Sequence, residues 1–261
     1  FLSKWGPEVP DLLEDLPKQD FAGQCEAMLK ANPTVISSIM GLYPPEFVSQ
    51  MKDRNIKWFA TITTVNEAIQ AQKAGADAIV VQGIEAGGHR GSFIAENAQE
   101  NSIGLFSLLP AVADALDIPI IAAGGIADGR GMAAALLLGA SAVQVGTGFL
   151  RSPEAKIPKV WAEAMNKSLP EDTVATRAFS GRLGRSLKTK YAVDANSKDA
   201  PSPAPYPIQR HLTQEMRNNA LKSENLDGMQ AWAGQSAKLA LDIPAFEIVT
   251  KIWSDTRAIL E

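Results

Sequence analysis

Between residues 34 and 145 the chain alternates short apolar strand-like runs with helix-like stretches, and this alternation restricts the fold more than any other feature. The strand-like runs are 34–39, 58–62, 78–81, 118–122 and 142–145. They are apolar and β-branched on both parities, as strands covered on both faces of a parallel sheet are. Strand and helix alternating through short turns gives right-handed parallel βαβ units. Between the runs, Thr64 and Glu67 have capping-box spacing, and Gly75 stands where a helix stops. Ser107 is the expected cap of a helix whose first turn tolerates Pro110, and Asp128 the cap of a helix ended by Gly139.

The expected fold class is therefore α/β, a (β/α)8 barrel of the triosephosphate-isomerase type, with a smaller helical part after residue 150. A closed barrel of that type has about eight strands, and five are legible. The segmentation reads as 1–33, mostly helical; 34–150, the barrel portion; and 151–261, a helical subdomain with a closing barrel helix. Within the last part, residues 229–241 and 245–260 read as helices, and residues 185–190 as a solvated loop.

The net charge of −4 gives no basic field for a nucleic-acid backbone. No apolar run approaches the roughly 20 residues that span a bilayer. The opening FLSKWGPEVP does not read as a secretory signal. A single cysteine, Cys25, excludes an intrachain disulfide and suits a reducing, cytoplasmic setting, and with two histidines it argues against a structural zinc site.

Three glycine clusters stand at the carboxyl ends of strand-like runs, where parallel barrels bind ligands. The first is residues 82–91, QGIEAGGHRG, containing Gln82, Gly87, Gly88 and His89. Glycines let backbone approach a flat cofactor, and a histidine there can exchange protons near neutral pH. The second holds Gly124 and Gly125, the third Gln144, Val145, Gly146 and Thr147. Backbone N–H groups at paired glycine turns on consecutive strands suit a phosphate dianion. Ser180-Gly181-Arg182 and Trp232 read more simply as a turn and as packing.

At VVQGIEAGGHRG, IPIIAAGGIADGRG, GASAVQVGTGFL and the later AWAGQ, the sequence resembles the nitronate monooxygenase family, formerly 2-nitropropane dioxygenases. The resemblance runs from about residue 34 to the C-terminus. It implies an FMN-containing barrel that oxidises alkyl nitronates with molecular oxygen to a carbonyl compound and nitrite. Gln82 and Gly87, with Gly88 beside them, would then meet FMN after the sixth barrel strand. Gly125, with Gly124, would bind its phosphate after the seventh, and Gln144, Val145, Gly146 and Thr147 after the eighth. His89 would lie close to flavin and substrate as the catalytic residue.

Family members begin with a segment like PIIQAPM and two further strands, so the resemblance implies that these 261 residues carry barrel strands four to eight. Many members also place a base histidine in a segment like SFHFG. Here the matching residues are Ser37-Ser38-Ile39-Met40-Gly41, with isoleucine at the base position. Two other readings stay open: an NAD(P)H-dependent flavin reductase of the same superfamily, of the enoyl-acyl-carrier-protein or quinone reductase kind, and a non-catalytic flavin- or phosphate-binding fragment.

Overall fold

The computed structural model describes residues 1–9 and 20–261. After a 3-10 turn at Leu2–Lys4, the first α-helix among the described residues is α1 (Phe21–Ala31), whose N-cap Asp20 accepts from Gly23 N–H. Residues 10–19 of the stretch read as helical lie outside the described residues. There follow β1 (Val35–Ser38), α2 (Pro45–Asp53), β2 (Lys57–Ile62), α3 (Val65–Lys73), β3 (Ala78–Gln82) and the two-residue β4 (Gly88–His89). Then come α4 (Leu105–Ala113), β5 (Ile120–Ala123), α5 (Gly129–Leu137) and β6 (Ala142–Gln144).

Strands β1-β2-β3-β5-β6 form one sheet in that order, every neighbouring pair parallel. All five residues of β3, at its centre, are buried. Strand β6, at one edge, leaves Ala142 and Gln144 exposed. Helices α2, α3 and α4 close the core with Val48, Met51, Ala68, Leu108 and Val112 against Trp58, Ile62 and Ile79. That apolar contact, at roughly 25 cal/mol per Å² removed from water, drives the assembly.

Thr64 caps α3 as expected, accepting from Glu67 N–H at 3.1 Å. The reciprocal bond is shifted by one residue: the Glu67 carboxylate accepts from Thr63 N–H and Oγ1 and reaches across to Phe93 N–H. Asp128 caps α5. Ser107 is not a cap. Helix α4 starts earlier, after Gly104, and the Glu85 carboxylate accepts from Leu105 N–H at 2.9 Å. A carboxylate twenty residues upstream thus replaces the local hydroxyl.

The remainder comprises α6 (Lys159–Lys167), β7 (Thr173–Thr176), β8 (Gly184–Leu187), α7 (Lys190–Asp194), α8 (Ile208–Leu212), α9 (Gln214–Lys222) and α10 (Ala245–Leu260). The segment read as helical thus adds two strands, and β4-β8-β7 make a small antiparallel sheet. Arg185, read as part of a solvated loop, is half-buried and donates to Ile84 O and Thr173 Oγ1. Residues 229–241 form no α-helix, only the 3-10 turn Ala237–Leu239. Their first part runs across β8 with a Ser186–Trp232 bridge, and Gly234 and Gln235 donate to Thr147 Oγ1 and Glu85 O. No described helix is long and apolar enough to cross a membrane.

Candidate active site

The three glycine clusters meet at the carboxyl ends of β3, β5 and β6. Gln82, Gly87, Gly124, Gly125, Gln144, Gly146 and Thr147 line one cavity of about 120 Å³, with Ala86, Ile126, Gly234 and Ser236. Gly124 and Gly125 have φ of +107° and +71°, which side chains with a Cβ rarely adopt. The N–H groups of Gly124, Gly125, Gly146 and Thr147 donate to no backbone acceptor among the described residues outside regular helix and strand bonding. N–H groups left open at glycine turns around one cavity suit an anion.

Gly87 is held by close backbone contact. A Cβ there would stand 2.4 Å from Gly234 N and 2.8 Å from Thr147 Oγ1. Gly234 N–H donates to Thr147 Oγ1 at 3.0 Å, and Gln235 N–H to Glu85 O at 2.9 Å. The hydroxyl of Thr147 therefore also anchors a segment eighty-seven residues away. Sequence reasoning gave Gly234 no part here. Its signal was the glycine interrupting an otherwise helical run.

Gln82 closes the loop on itself. Its Nε2 donates to His89 O at 3.0 Å, and its Oε1 accepts from Gly91 N–H at 2.8 Å. Arg90 is 5% exposed and donates to the carbonyls of Gln82, Thr63 and Asn101. Burial lowers its pKa to about 10, with Glu67 and Glu85 opposing. Two of the expected residues lie outside the cavity. Val145 packs its side chain against the core, and Gly88, at φ +76°, turns the chain into β4 beside Arg185.

His89 stands next to the cavity, held by the antiparallel sheet. Its ring packs against Trp232 at 5.2 Å and Tyr206 at 6.5 Å between centroids. Its Nε2 lies 2.7 Å from Ser180 Oγ. Burial lowers its pKa to about 4, reinforced by the positive charges of Arg210 and Arg182. The imidazole is therefore neutral at neutral pH. Trp232 and Ser180, read as packing and turn residues, are its immediate neighbours.

Beyond Tyr206, a cavity of about 570 Å³ is lined by Phe93, Ile94, Arg177, Arg182 and Pro205, among others. Arg90, Arg177, Arg182, Arg185, Arg210 and Arg217 have no carboxylate oxygen within 4.0 Å among the described residues. The face around His89 is thus positive within a chain of net charge −4. Just beyond β1, Ile39 is 50% exposed, with Cγ1 3.2 Å from where a Cβ on Gly91 would stand.

The family model for nitronate monooxygenase matches residues 8–255. A probable nitronate monooxygenase from Staphylococcus aureus (strain MSSA476) is 39% identical over 244 residues, 94% of this chain and 68% of that protein. The structure of nitroalkane oxidase from Streptomyces ansochromogenes superposes with a TM-score of 0.90 at 34% identity, covering 98% of this chain and 73% of that one. FabK from Thermotoga maritima gives a TM-score of 0.76 at 30% identity, covering 93% and 74%. A site assembled from glycine turns and a neutral histidine on this α/β frame, matched over nearly its whole length, places the chain in the nitronate monooxygenase family of oxidoreductase enzymes.

Proposed function

We propose that this chain is an FMN-dependent oxidoreductase that converts small alkyl nitronates and molecular oxygen to a carbonyl compound and nitrite. The five parallel strands then correspond to strands four to eight of a (β/α)8 barrel, carried by residues 34–150 after the leading segment 1–33. Residues 151–261 supply the small second part and the closing helix α10. The lone Cys25 suits a cytoplasmic enzyme.

The backbone N–H groups without a backbone acceptor at Gly124, Gly125, Gly146 and Thr147, around one cavity, support this reading most, because N–H groups at glycine turns suit a phosphate and a Cβ on Gly124 or Gly125 would be strained and crowded. In it, those groups hold the FMN phosphate. Gln82, Gly87, Gly88, Gln144 and Val145 bring backbone and amide groups to the rest of the cofactor. FMN, when bound, supplies the electron transfer between substrate and oxygen.

The chain's own residues select and orient the substrate. A nitronate is an anion that has already lost its carbon proton. The positive field of Arg182 and Arg210 draws it toward His89, and the neutral imidazole neither repels it nor neutralises it by protonation. Ile39, at the position where family members carry a base, can take no proton, and an anionic nitronate needs none removed. His89, neutral beside it, takes a proton only from a neutral nitroalkane that still carries one.

The test is the absorbance spectrum of the purified chain with its released cofactor identified by mass, followed by nitrite measurement with propionate-3-nitronate. A yellow protein releasing FMN and forming one nitrite per nitronate is expected. A colourless protein that takes up no FMN overturns the proposal. Rapid anaerobic bleaching by NADH without nitrite formation overturns its substrate half.

A further inference from the structure

Ser180 is 1% exposed, so its hydroxyl must find its partners within the protein. It has three: His89 Nε2 at 2.7 Å, Arg182 O at 3.3 Å and Arg182 N–H at 3.4 Å. A hydroxyl offers one proton and two lone pairs. Arg182 N–H can only donate to it, and Arg182 O can only accept. If Ser180 gives its proton to His89 Nε2, the Arg182 carbonyl faces a second acceptor across 3.3 Å and loses the donor in contact with it. If instead His89 Nε2–H donates to Ser180, the hydroxyl donates onward to Arg182 O and all three contacts are satisfied together.

His89 Nδ1, by contrast, has no hydrogen-bond partner among the described residues. The enclosed side-chain atoms without partners are Arg90 Nε, Arg151 Nε and Trp161 Nε1. Nδ1 is not among them, so it is not fully enclosed. Trp232 and Tyr206 against the ring restrict its rotation.

We infer that Ser180 is a positioning residue that holds His89 as its Nε2–H tautomer and leaves Nδ1 as the single proton-accepting atom offered to the substrate side. The inference deepens the proposed function, since it rests on His89 as the residue that exchanges the proton. It also makes a claim about the ring that holds whether or not turnover is observed. Substrate meets only the acceptor nitrogen, and any proton it gives up goes to Nδ1. The ring then becomes a cation whose Nε2–H still donates into the Ser180–Arg182 chain, so no second proton need move.

The chain has two histidines, His89 and His211, which makes nitrogen NMR of the ¹⁵N-histidine-labelled protein direct. A His211→Gln variant assigns the pair. At neutral pH the His89 signals are expected at the protonated-type shift for Nε2 and the unprotonated-type shift for Nδ1. In Ser180→Ala both signals move toward the average of a tautomer mixture, and in Ser180→Thr, which keeps the hydroxyl, they return. Turnover of a neutral nitroalkane, which still has its carbon proton to give up, falls about tenfold in Ser180→Ala at nearly constant KM, part of the roughly 10²–10⁴-fold that a proton-transfer group contributes, because the ring is misoriented and not removed. A protonated Nδ1 in the parent chain overturns the inference, as does a parent-like tautomer in a folded Ser180→Ala. No turnover in the parent with the expected tautomer overturns the proposed function and leaves the tautomer assignment standing.

Discussion

Replacing Gln82 with leucine removes a group that bonds the glycine loop at two points without greatly changing side-chain volume. Gln82 is 7% exposed, and its amide is the acceptor for Gly91 N–H and the donor to His89 O. Leucine strands the first completely, since Gly91 is buried, and the second in part, since His89 is only half-buried and water reaches it. A buried polar group left without its partner costs roughly 1–3 kcal/mol, so the sum is about 2–4 kcal/mol. For a chain of this size each kcal/mol shifts the midpoint by about 2–4 °C, and thermal unfolding followed by circular dichroism should fall by about 5–10 °C. Gln82→Met, equally apolar and of similar volume, should fall by a similar amount. A leucine variant melting within about 1 °C of the parent would refute the role assigned to this amide.

Because the folded state holds His89 neutral with a pKa of about 4, below the ordinary 6.5, the unfolded chain binds the extra proton first as pH falls. This contribution to stability is complete above pH 6.5 and is lost between 6.5 and 4, by at most about 3 kcal/mol. Denaturant titrations of the parent and of His89→Gln should therefore diverge in slope only within that window. Gly234→Ala brings a Cβ within 2.6 Å of Glu85 O and 2.9 Å of Gly87 N, so it should push the 232–235 segment off the loop and lower both the melting midpoint and FMN retention. With Ile39 where family members carry a base, anionic nitronates should be turned over at least tenfold faster than the corresponding neutral nitroalkanes, and Ile39→His should narrow that gap; oxygen consumption on both substrate forms decides it.

The parallel sheet was readable from sequence because its strands are apolar on both faces, a signal that does not depend on knowing their partners. Thr64 and Asp128 were readable as caps because an N-cap acts within three residues. What escaped depends on distant partners. Strands β7 and β8 are short and half polar, and β8 gains its other partner from Gly88–His89, nearly a hundred residues earlier. Glu85 as the cap of α4 replaced a plausible local serine. Residues 229–241 have helical composition, yet Trp232 and Gly234 are needed against His89 and Gly87, and that tertiary packing overrides local propensity. For the same reason the glycine turns could be named in advance, whereas Ser180, ninety-one residues from His89, could not.

The two sheets divide the site between them. The glycine turns that line the cavity rise from the parallel sheet, whereas His89, Ser180 and the arginines around them belong to the antiparallel one or to its loops. The two groups are joined by the backbone from Gly87 into β4 and by the Gln82–His89, Arg185–Ile84 and Gly234–Thr147 hydrogen bonds. Substitutions along residues 177–182 and 203–206 can therefore reshape what is admitted next to His89 while leaving the glycine turns untouched. A lineage with this architecture can change what it admits one loop at a time and keep unaltered the turns to which the proposed FMN is assigned.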